Sequence, residues 1–475
     1  MNKILLIISL VFISINAFSQ TDVNNNQSGI WALENSPYNV IGDITVPAGT
    51  TLTIEAGVEV NFQGYYKLTV LGTLSANGTE TDSIFFTTEN QSTGWAGISL
   101  GTSIGGSVTP ADGVSNFSYC RFEYGKTTYE ENDPDDLDSN GGAVRMINSD
   151  AVYNNCIFSN NSSYEGEGMG GAIYGLNTGN EDNPVTLFTN CKFIDNVGYS
   201  EGGAIKFTSD FNTEITNCEF IDNTTSYGGG AICFYSVVDT KVINCLFVNN
   251  RTNYDNGGAI KSLGVANNTI FFKNCTIVNN EASGGSGGGA ALYYAEVDFV
   301  NCIAYNNTSP YDDDNVYIDG GGSTATVNYC NMPMPEYNTT GSNNIDTDPL
   351  FVDVANGDYH LQATSPCIDA GTDIGLPFAG TAPDMGCFET GNILTKEISN
   401  TKIDIYPNPT NDIIYFLGID NINNCKIEIT DISGKLLKNI ILTNSYINIS
   451  KLECGTYFVK ILNDNKVYIN KIIKK

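Results

Sequence analysis

Histidine is nearly missing from this chain: 475 residues contain one, His360. A zinc site built mainly on histidines is therefore excluded within one chain, and a Ser-His-Asp triad would have to use His360. Positive charge is scarce as well. Lysine and arginine number 22 against 53 acids, a net charge of −31. Nucleic acid is excluded as a partner, because phosphate binding needs clustered Lys and Arg. Only 16% of residues are charged, so the acidity reflects missing cations more than abundant acids. That composition describes a neutral Asn/Thr/Ser/Gly surface, not a disordered polyacid. Long apolar runs are missing beyond the N-terminus. No later segment approaches 18 apolar residues, so no transmembrane helix is expected in the mature chain.

What is present begins with an export signal. Lys3 opens a short positive region, an apolar run follows from Ile4 to Phe18, and Ala17-Phe18-Ser19 is a small-x-small cleavage site before Gln20. Residues 1–19 are expected to be removed, with no cysteine placed to anchor a lipid there. Charge then divides the mature chain. Residues 396–475 carry eleven lysines against eight acids, whereas residues 21–395 carry ten bases against 45 acids. Two such different surfaces predict two domains, 20–395 and 396–475.

The long domain repeats. An Asn-Cys-x-Phe-x-x-Asn block starts at Asn155, Asn190, Asn217 and Asn244, with degenerate copies at Asn274 and Asn301 and worn outer copies at Cys120 and Cys330. A Gly-Gly-Ala-Ile block alternates with it, at Gly141, Gly170, Gly202, Gly229, Gly257 and Gly288. Short period-two runs such as Ala204-Ile205-Lys206-Phe207, punctuated by Gly or Asn, read as strands and never as helices. About 27 residues shared among three strands and three turns make one coil of a parallel β-solenoid, in which coils stack at about 4.8 Å. Equivalent residues then form columns. Asn161, Asn196, Asn223, Asn250, Asn280 and Asn307 are predicted to form an internal ladder, each amide bonding the coils above and below. Asparagine suits that bend also because it tolerates left-handed backbone. Phe158, Phe193, Phe220 and Phe247 stack beside it, and the paired glycines mark a turn where a Cβ clashes or positive φ is needed.

These two blocks resemble the repeats of polymorphic outer-membrane proteins, whose passenger domains are right-handed parallel β-helices; the resemblance runs from about Asp138 to Asn307. Ile44–Ile54 and Leu68–Leu74 resemble the first coils of secreted β-helix proteins, and Asp348–Asp353 with Tyr359–Gly371 their closing coils. The resemblance implies an adhesin or a surface protein. From Ile403 the pattern changes to short alternating strands that predict a small β-sandwich. Tyr406-Pro407-Asn408-Pro409-Thr410, Asp431 to Lys435, Gly455-Thr456-Tyr457-Phe458-Val459-Lys460 and Lys471 to Lys475 resemble the type IX secretion sorting domain. That resemblance implies the type IX machinery as a partner, passage across the outer membrane, removal of the domain and a place outside the cell or on its surface.

Thirteen cysteines in an exported chain raise the question of disulfides, and the odd count leaves one unpaired. Eight occupy one column of the repeat, where stacked side chains point the same way and Cβ atoms lie too far apart for good disulfide geometry. A buried thiol column is the expectation, and Cys367 with Cys387 the better-placed bridge.

For chemistry, the residue after each Gly-Gly-Ala-Ile copy faces out of its strand: Arg145, Tyr174, Lys206, Cys233, Lys261 and Leu292. Three of the domain's ten cations would share one exposed column, so Arg145, Tyr174, Lys206 and Lys261 are candidate glycan contacts. Calcium is the one cofactor the sequence offers, at Asp133, Asp135, Asp136 and Asp138 or at Asp312, Asp313 and Asp314, although neither loop has the spacing of a dedicated site. No arrangement specifies a base and an acid, so catalytic residues are unknown. The expected function is a binding or adhesion surface for glycan; the alternative is a polysaccharide lyase or glycosidase acting on an acidic glycan.

Overall fold

The computed structural model describes residues 20–128, 137–178, 184–264, 269–311, 315–391 and most of 404–475. These form two compact units, one of residues up to Asp373 with Thr381–Glu389, the other of Ile374–Gly380 with Thr390–Lys475. The signal segment 1–19 lies outside the described residues.

The first unit is a right-handed parallel β-helix. A representative coil runs Ile205–Thr208, Asn212–Thr216 and Glu219–Ile221, with a two-residue strand Thr224–Thr225 before the next coil starts at Ile232. Its three faces are the Gly-Gly-Ala-Ile strands, a 12-stranded second sheet, and the Cys-x-Phe strands. The first and third faces belong to one 20-stranded sheet. They are joined because the long strand Tyr38–Val46 pairs through its first half, Tyr38–Val40, with Glu59–Phe62 and through its second half, Ile44–Val46, with Leu68–Val70. Thr21–Asn26 opens the solenoid on the other edge of that strand, and Ile44 stacks in register over Leu68.

Alternation decides what fills the interior. Phe122, Phe158, Phe193, Phe220 and Phe247 stack with centroids 4.6–4.8 Å apart and nearly parallel rings. A second aromatic column, Phe117–Tyr153–Phe188, meets it edge-on from the second face. Each stacked pair adds about 0.5–1.5 kcal/mol beyond its buried area. The eight column cysteines are free and buried. Each donates from Sγ to a backbone carbonyl, as Cys245 does to Ile243 at 3.2 Å. Cys367 and Cys387 are free as well: Asn331 Nδ2 donates to the Cys367 sulfur at 3.1 Å, and the Cys387 N–H donates to Thr276 Oγ1 at 3.0 Å. That corrects the expected bridge.

At the turn after the third strand, each Asn Nδ2 donates to the next Oδ1, from Asn161 through Asn196, Asn223, Asn250 and Asn280 to Asn307, at 2.8–3.0 Å. Each also donates to a carbonyl of the preceding coil, Asn223 to Phe193 at 2.9 Å, and each Oδ1 accepts a backbone N–H besides. Left-handed backbone belongs to the residue before each ladder asparagine, not to the ladder itself. Asn160, Asp195, Asp222, Asn249, Asn279 and Asn306 have φ of 54–56°. The paired glycines divide their duties. Gly202 has φ of 72°, and a Cβ on Gly203 would overlap the carbonyl oxygen of Gly230 on the next coil.

The closing region departs from the expected coils. After Thr339–Ser342, Phe351–Asp353 and Asp358–Leu361 pair antiparallel. Phe351, Tyr359, Leu361, Cys367 and Met385 pack onto the outer side of Leu246, Val248, Val278 and Ile303. Leu246–Val248 is therefore buried on both sides, while Glu219–Ile221 buries only Phe220.

The second unit is antiparallel. Asp404–Tyr406, Ile413–Leu417 and Tyr446–Asn448 form one sheet. Leu436–Ile441, Lys426–Asp431, Gly455–Asn463 and Lys466–Lys474 form another. Ile414, Phe416, Ile427, Ile429, Val459 and Ile461 fill the space between them as a small sandwich.

Candidate functional site

The first-face column stacks as Arg145, Tyr174, Lys206, Cys233 and Lys261, in register on five successive coils. The sixth member is Ala291 rather than Leu292, which pairs with Ser262 and is buried in the core. An additional glycine causes the shift: the positive-φ position of that coil is Gly287, so the motif begins one residue earlier.

These side chains point out of the strand, but they are not exposed. Arg145 and Lys206 are each 2% accessible and Lys261 8%. The turns that precede the first-face strands fold over them and supply carboxylates. Arg145 bonds Asp138, donates to the Leu137 carbonyl at 3.0 Å and to Ser99 Oγ at 3.2 Å. Lys206 donates to Glu201 at 2.6 Å and to the Cys233 sulfur at 3.2 Å. Lys261 donates to Asp255 at 2.6 Å and to Glu201 at 3.3 Å. Glu201 thus bridges two lysines that lie two coils apart. Burial alone would raise its carboxyl; the ammonium groups of Lys206 and Lys261 outweigh burial and hold it below the usual range. Burial alone would lower the Lys206 ammonium, but Cys233 and Glu201 outweigh it and hold it above its ordinary value. Lys261 is raised in the same way, against burial, by Cys233, Asp255 and Glu201. Burial pushes the Cys233 thiol up to about 11 and the Tyr174 phenol up to about 12, so both are neutral at pH 7. The expected exposed cation strip is corrected to a covered ion-pair network.

The same covering turns carry a feature that the strand pattern did not signal. A tyrosine follows each of the first four ladder asparagines by three or four residues: Tyr164, Tyr199, Tyr227 and Tyr254. Their turns are stitched coil to coil by backbone bonds, Tyr164 N–H to Ser139 at 3.0 Å, Tyr227 N–H to Ser200 at 2.8 Å and Tyr254 N–H to Ser226 at 2.9 Å. Tyr199 N–H donates to Ser163 Oγ at 3.1 Å. Tyr227 is 51% and Tyr254 69% exposed, with ring centroids 5.9 Å apart. Tyr164 and Tyr199 are half-buried, and burial together with Glu165 raises the Tyr199 phenol. Coil-to-coil register sets Tyr164 over Tyr199 and Tyr227 over Tyr254, with Tyr227 over Ser200 and not over Tyr199, so the exposed aromatic ridge along the solenoid axis is the Tyr227–Tyr254 pair. Its signal was available as spacing from the ladder, outside any strand.

Of the calcium candidates, Asp133, Asp135, Asp136, Asp312, Asp313 and Asp314 lie outside the described residues. Asp138 is engaged by Arg145 and by Lys67, the latter at 2.8 Å. Among the described residues no group of three or more His, Cys, Asp or Glu is arranged to hold a metal ion. A hollow of about 270 Å³ beside the closing strands is lined by Asn279, Asn306, Asp348, Tyr305 and Phe351 among others. It presents one carboxylate where a glycosidase needs two.

Of the sorting-signal residues, Tyr406 lies in an edge strand, and Pro407, Asn408 and Pro409 lie outside the described residues. Gly455, Thr456 and Tyr457 open a central strand, where Tyr457 is buried and its hydroxyl donates to Glu453 O at 2.8 Å.

Residues 404–475 match the secretion system C-terminal sorting domain. Residues 155–176 and 217–235 match the Chlamydia polymorphic membrane protein repeat. Comparison with curated proteins finds no match. The two matched families and the parallel solenoid identify a secreted, cell-surface β-helix protein with a type IX sorting tail, which has the secretion machinery as its implied partner. Among the described residues no helix is long and apolar enough to cross a membrane.

Proposed function

We propose that the exported solenoid is a binding or adhesion surface for an extracellular glycan, and that the tyrosine ridge is where it binds. The observation that carries this reading is the exposure of Tyr227 and Tyr254 on adjacent coils, backed by turns that hydrogen-bond to one another. Tyrosine offers a large apolar ring with a polar tip at low conformational cost, which suits a sugar's apolar face and its hydroxyls. Arg145, Lys206 and Lys261 support the ridge from beneath by anchoring the turns through Asp138, Glu201 and Asp255. The lyase alternative is disfavoured, because a cation meant for a uronate carboxylate here already holds a carboxylate of the chain itself.

The sorting tail, from about residue 396, is proposed to be removed once export is complete. Intact mass of the secreted protein tests that part: a mature form retaining Lys475 contradicts it. The binding reading is tested by titrating the solenoid against a glycan panel. A Tyr227→Ala/Tyr254→Ala variant is expected to lose at least tenfold in affinity, about 1.4 kcal/mol, with unchanged thermal unfolding. Glycan binding that survives the double substitution places the site elsewhere.

A further inference from the structure

The electrostatics of the ridge select a class of ligand. We infer that the ridge takes an uncharged glycan chain lying along the solenoid axis, and that it discriminates against uronate chains. This rests on the glycan-binding reading above and adds the ligand's charge and direction to it.

Charge comes first. The turns that carry or flank the ridge, residues 162–169, 197–201, 224–228, 251–256 and 281–286, contain five acids and one base. The acids are Glu165, Glu167, Glu201, Asp255 and Glu281; the base is Arg251. Arg251 is engaged on the next coil, with Nη2 3.7 Å from Glu281 and Nε donating to Ser283 Oγ at 3.0 Å. The lysines beneath the ridge are spent on Glu201 and Asp255. An approaching polyanion therefore meets Glu165 and Glu167, which are exposed about two coils, or roughly one Debye length, from Tyr227, while the described cations of these turns are already paired. An uncharged chain meets phenol rings and hydroxyls.

Direction follows from the coil geometry. Tyr227 and Tyr254 sit in register on adjacent coils, and each coil advances by about 4.8 Å. The rings of Tyr227 and Tyr254 are 5.9 Å apart and tilted by 41° to each other. A chain laid along this ridge brings one sugar ring to each tyrosine, because an extended pyranose chain advances by a similar step per residue. A chain laid across the coils would meet one tyrosine and then the edge of a strand. Affinity is therefore set by the number of coils spanned.

The test uses the secreted protein and a panel of saccharides of one to eight residues, some uncharged and some uronate, titrated at low and high salt. An uncharged member is expected to bind with little salt dependence. Its affinity should rise with chain length up to about two residues, the span of Tyr227 and Tyr254, and then level off. Tyr227→Ala should weaken it at least tenfold. Uronate members of equal length should bind at least tenfold more weakly at low salt, and a Glu165→Gln/Glu167→Gln variant should narrow that gap. Tighter uronate binding at low salt that is lost in Tyr227→Ala overturns the uncharged class but leaves the glycan reading standing. Affinity independent of length overturns the axial direction. Binding of no member of the panel overturns the glycan reading itself.

Discussion

The asparagine ladder and the cationic column are both files of polar residues stacked on successive coils, yet they are buried by opposite means. A carboxamide carries both donors and an acceptor, so each ladder member bonds its neighbour and the backbone of adjoining coils from Asn161 to Asn307, whose amide donates to Asn315 Oδ1. A file of ammonium and guanidinium groups has donors only and repels itself. Arg145, Lys206 and Lys261 could be buried only because other segments brought Asp138, Glu201 and Asp255 to them. The ladder is thus a property of the repeat, and the ion-pair network is a property of the turns between repeats.

The largest expected effect falls on the ladder. Replacing Asn223 with Leu removes its bonds to Phe193 and Asn250 and strands the backbone N–H and amide of Asn196. Several buried groups at 1–3 kcal/mol each put the loss at about 3 kcal/mol or more. Because coils contact only their neighbours, hydrogen exchange should rise mainly around Asn196 and Asn250. Unchanged exchange there would show that the ladder is not self-supporting.

Next comes the network. Glu201→Gln leaves Lys206 buried beside a neutral thiol and should cost about 2–3 kcal/mol, discounted for the partial exposure of the carboxylate. The pH dependence has a defined sign. A carboxyl held below its unfolded value contributes stability above that value and loses it as pH falls through the folded value. Lysines held above theirs contribute below the ordinary lysine value and lose it as pH rises through the raised one. Thermal midpoints of the parent protein should therefore fall below about pH 4, and Glu201→Gln should flatten part of that acid limb. An identical acid limb in the variant would remove Glu201 from the account.

Asp255→Asn should be milder, about 1 kcal/mol, since Lys261 keeps Glu201 at 3.3 Å and the Tyr227 carbonyl at 3.3 Å. A loss as large as that of Glu201→Gln would mean that Lys261 depends on Asp255 alone. The smallest effect belongs to an ion pair outside both files. Lys192 and Glu219 meet at 2.9 Å on the open third face, and Lys192→Ala should change stability by under about 1 kcal/mol, vanishing in high salt. A larger, salt-resistant loss would erase the distinction between covered and open columns.

Much of this molecule was legible as text. Repeated Asn-Cys-x-Phe-x-x-Asn blocks announced which residues would stack, because a solenoid places equal positions over one another at fixed rise. The duties of Gly202 and Gly203 were both anticipated, though not which glycine performs which. Three features were hidden. Ala291 and not Leu292 completes the outer column, since Gly287-Gly288-Gly289 permits two registers and only coil-to-coil pairing chooses between them. Cys367 and Cys387 are free thiols, and the closing strands pair antiparallel over the third face instead of adding coils. Cys387 meets Thr276 111 positions away and Phe351 packs with Leu246 in one cluster, contacts that leave no local periodicity.

Sequence alone determined the strand faces, the ladder, the aromatic file and the sorting tail, because alternation and repetition are local and each coil copies its neighbour. It determined that Lys206 points outward. Tertiary structure alone decided that outward is not exposed: the turns bearing Glu201, Tyr227, Tyr254 and Asp255 vary in length from coil to coil, and their fold over the column is set by ion pairing across two coils. The same turns that cover the cations hold Tyr227 and Tyr254 in solvent.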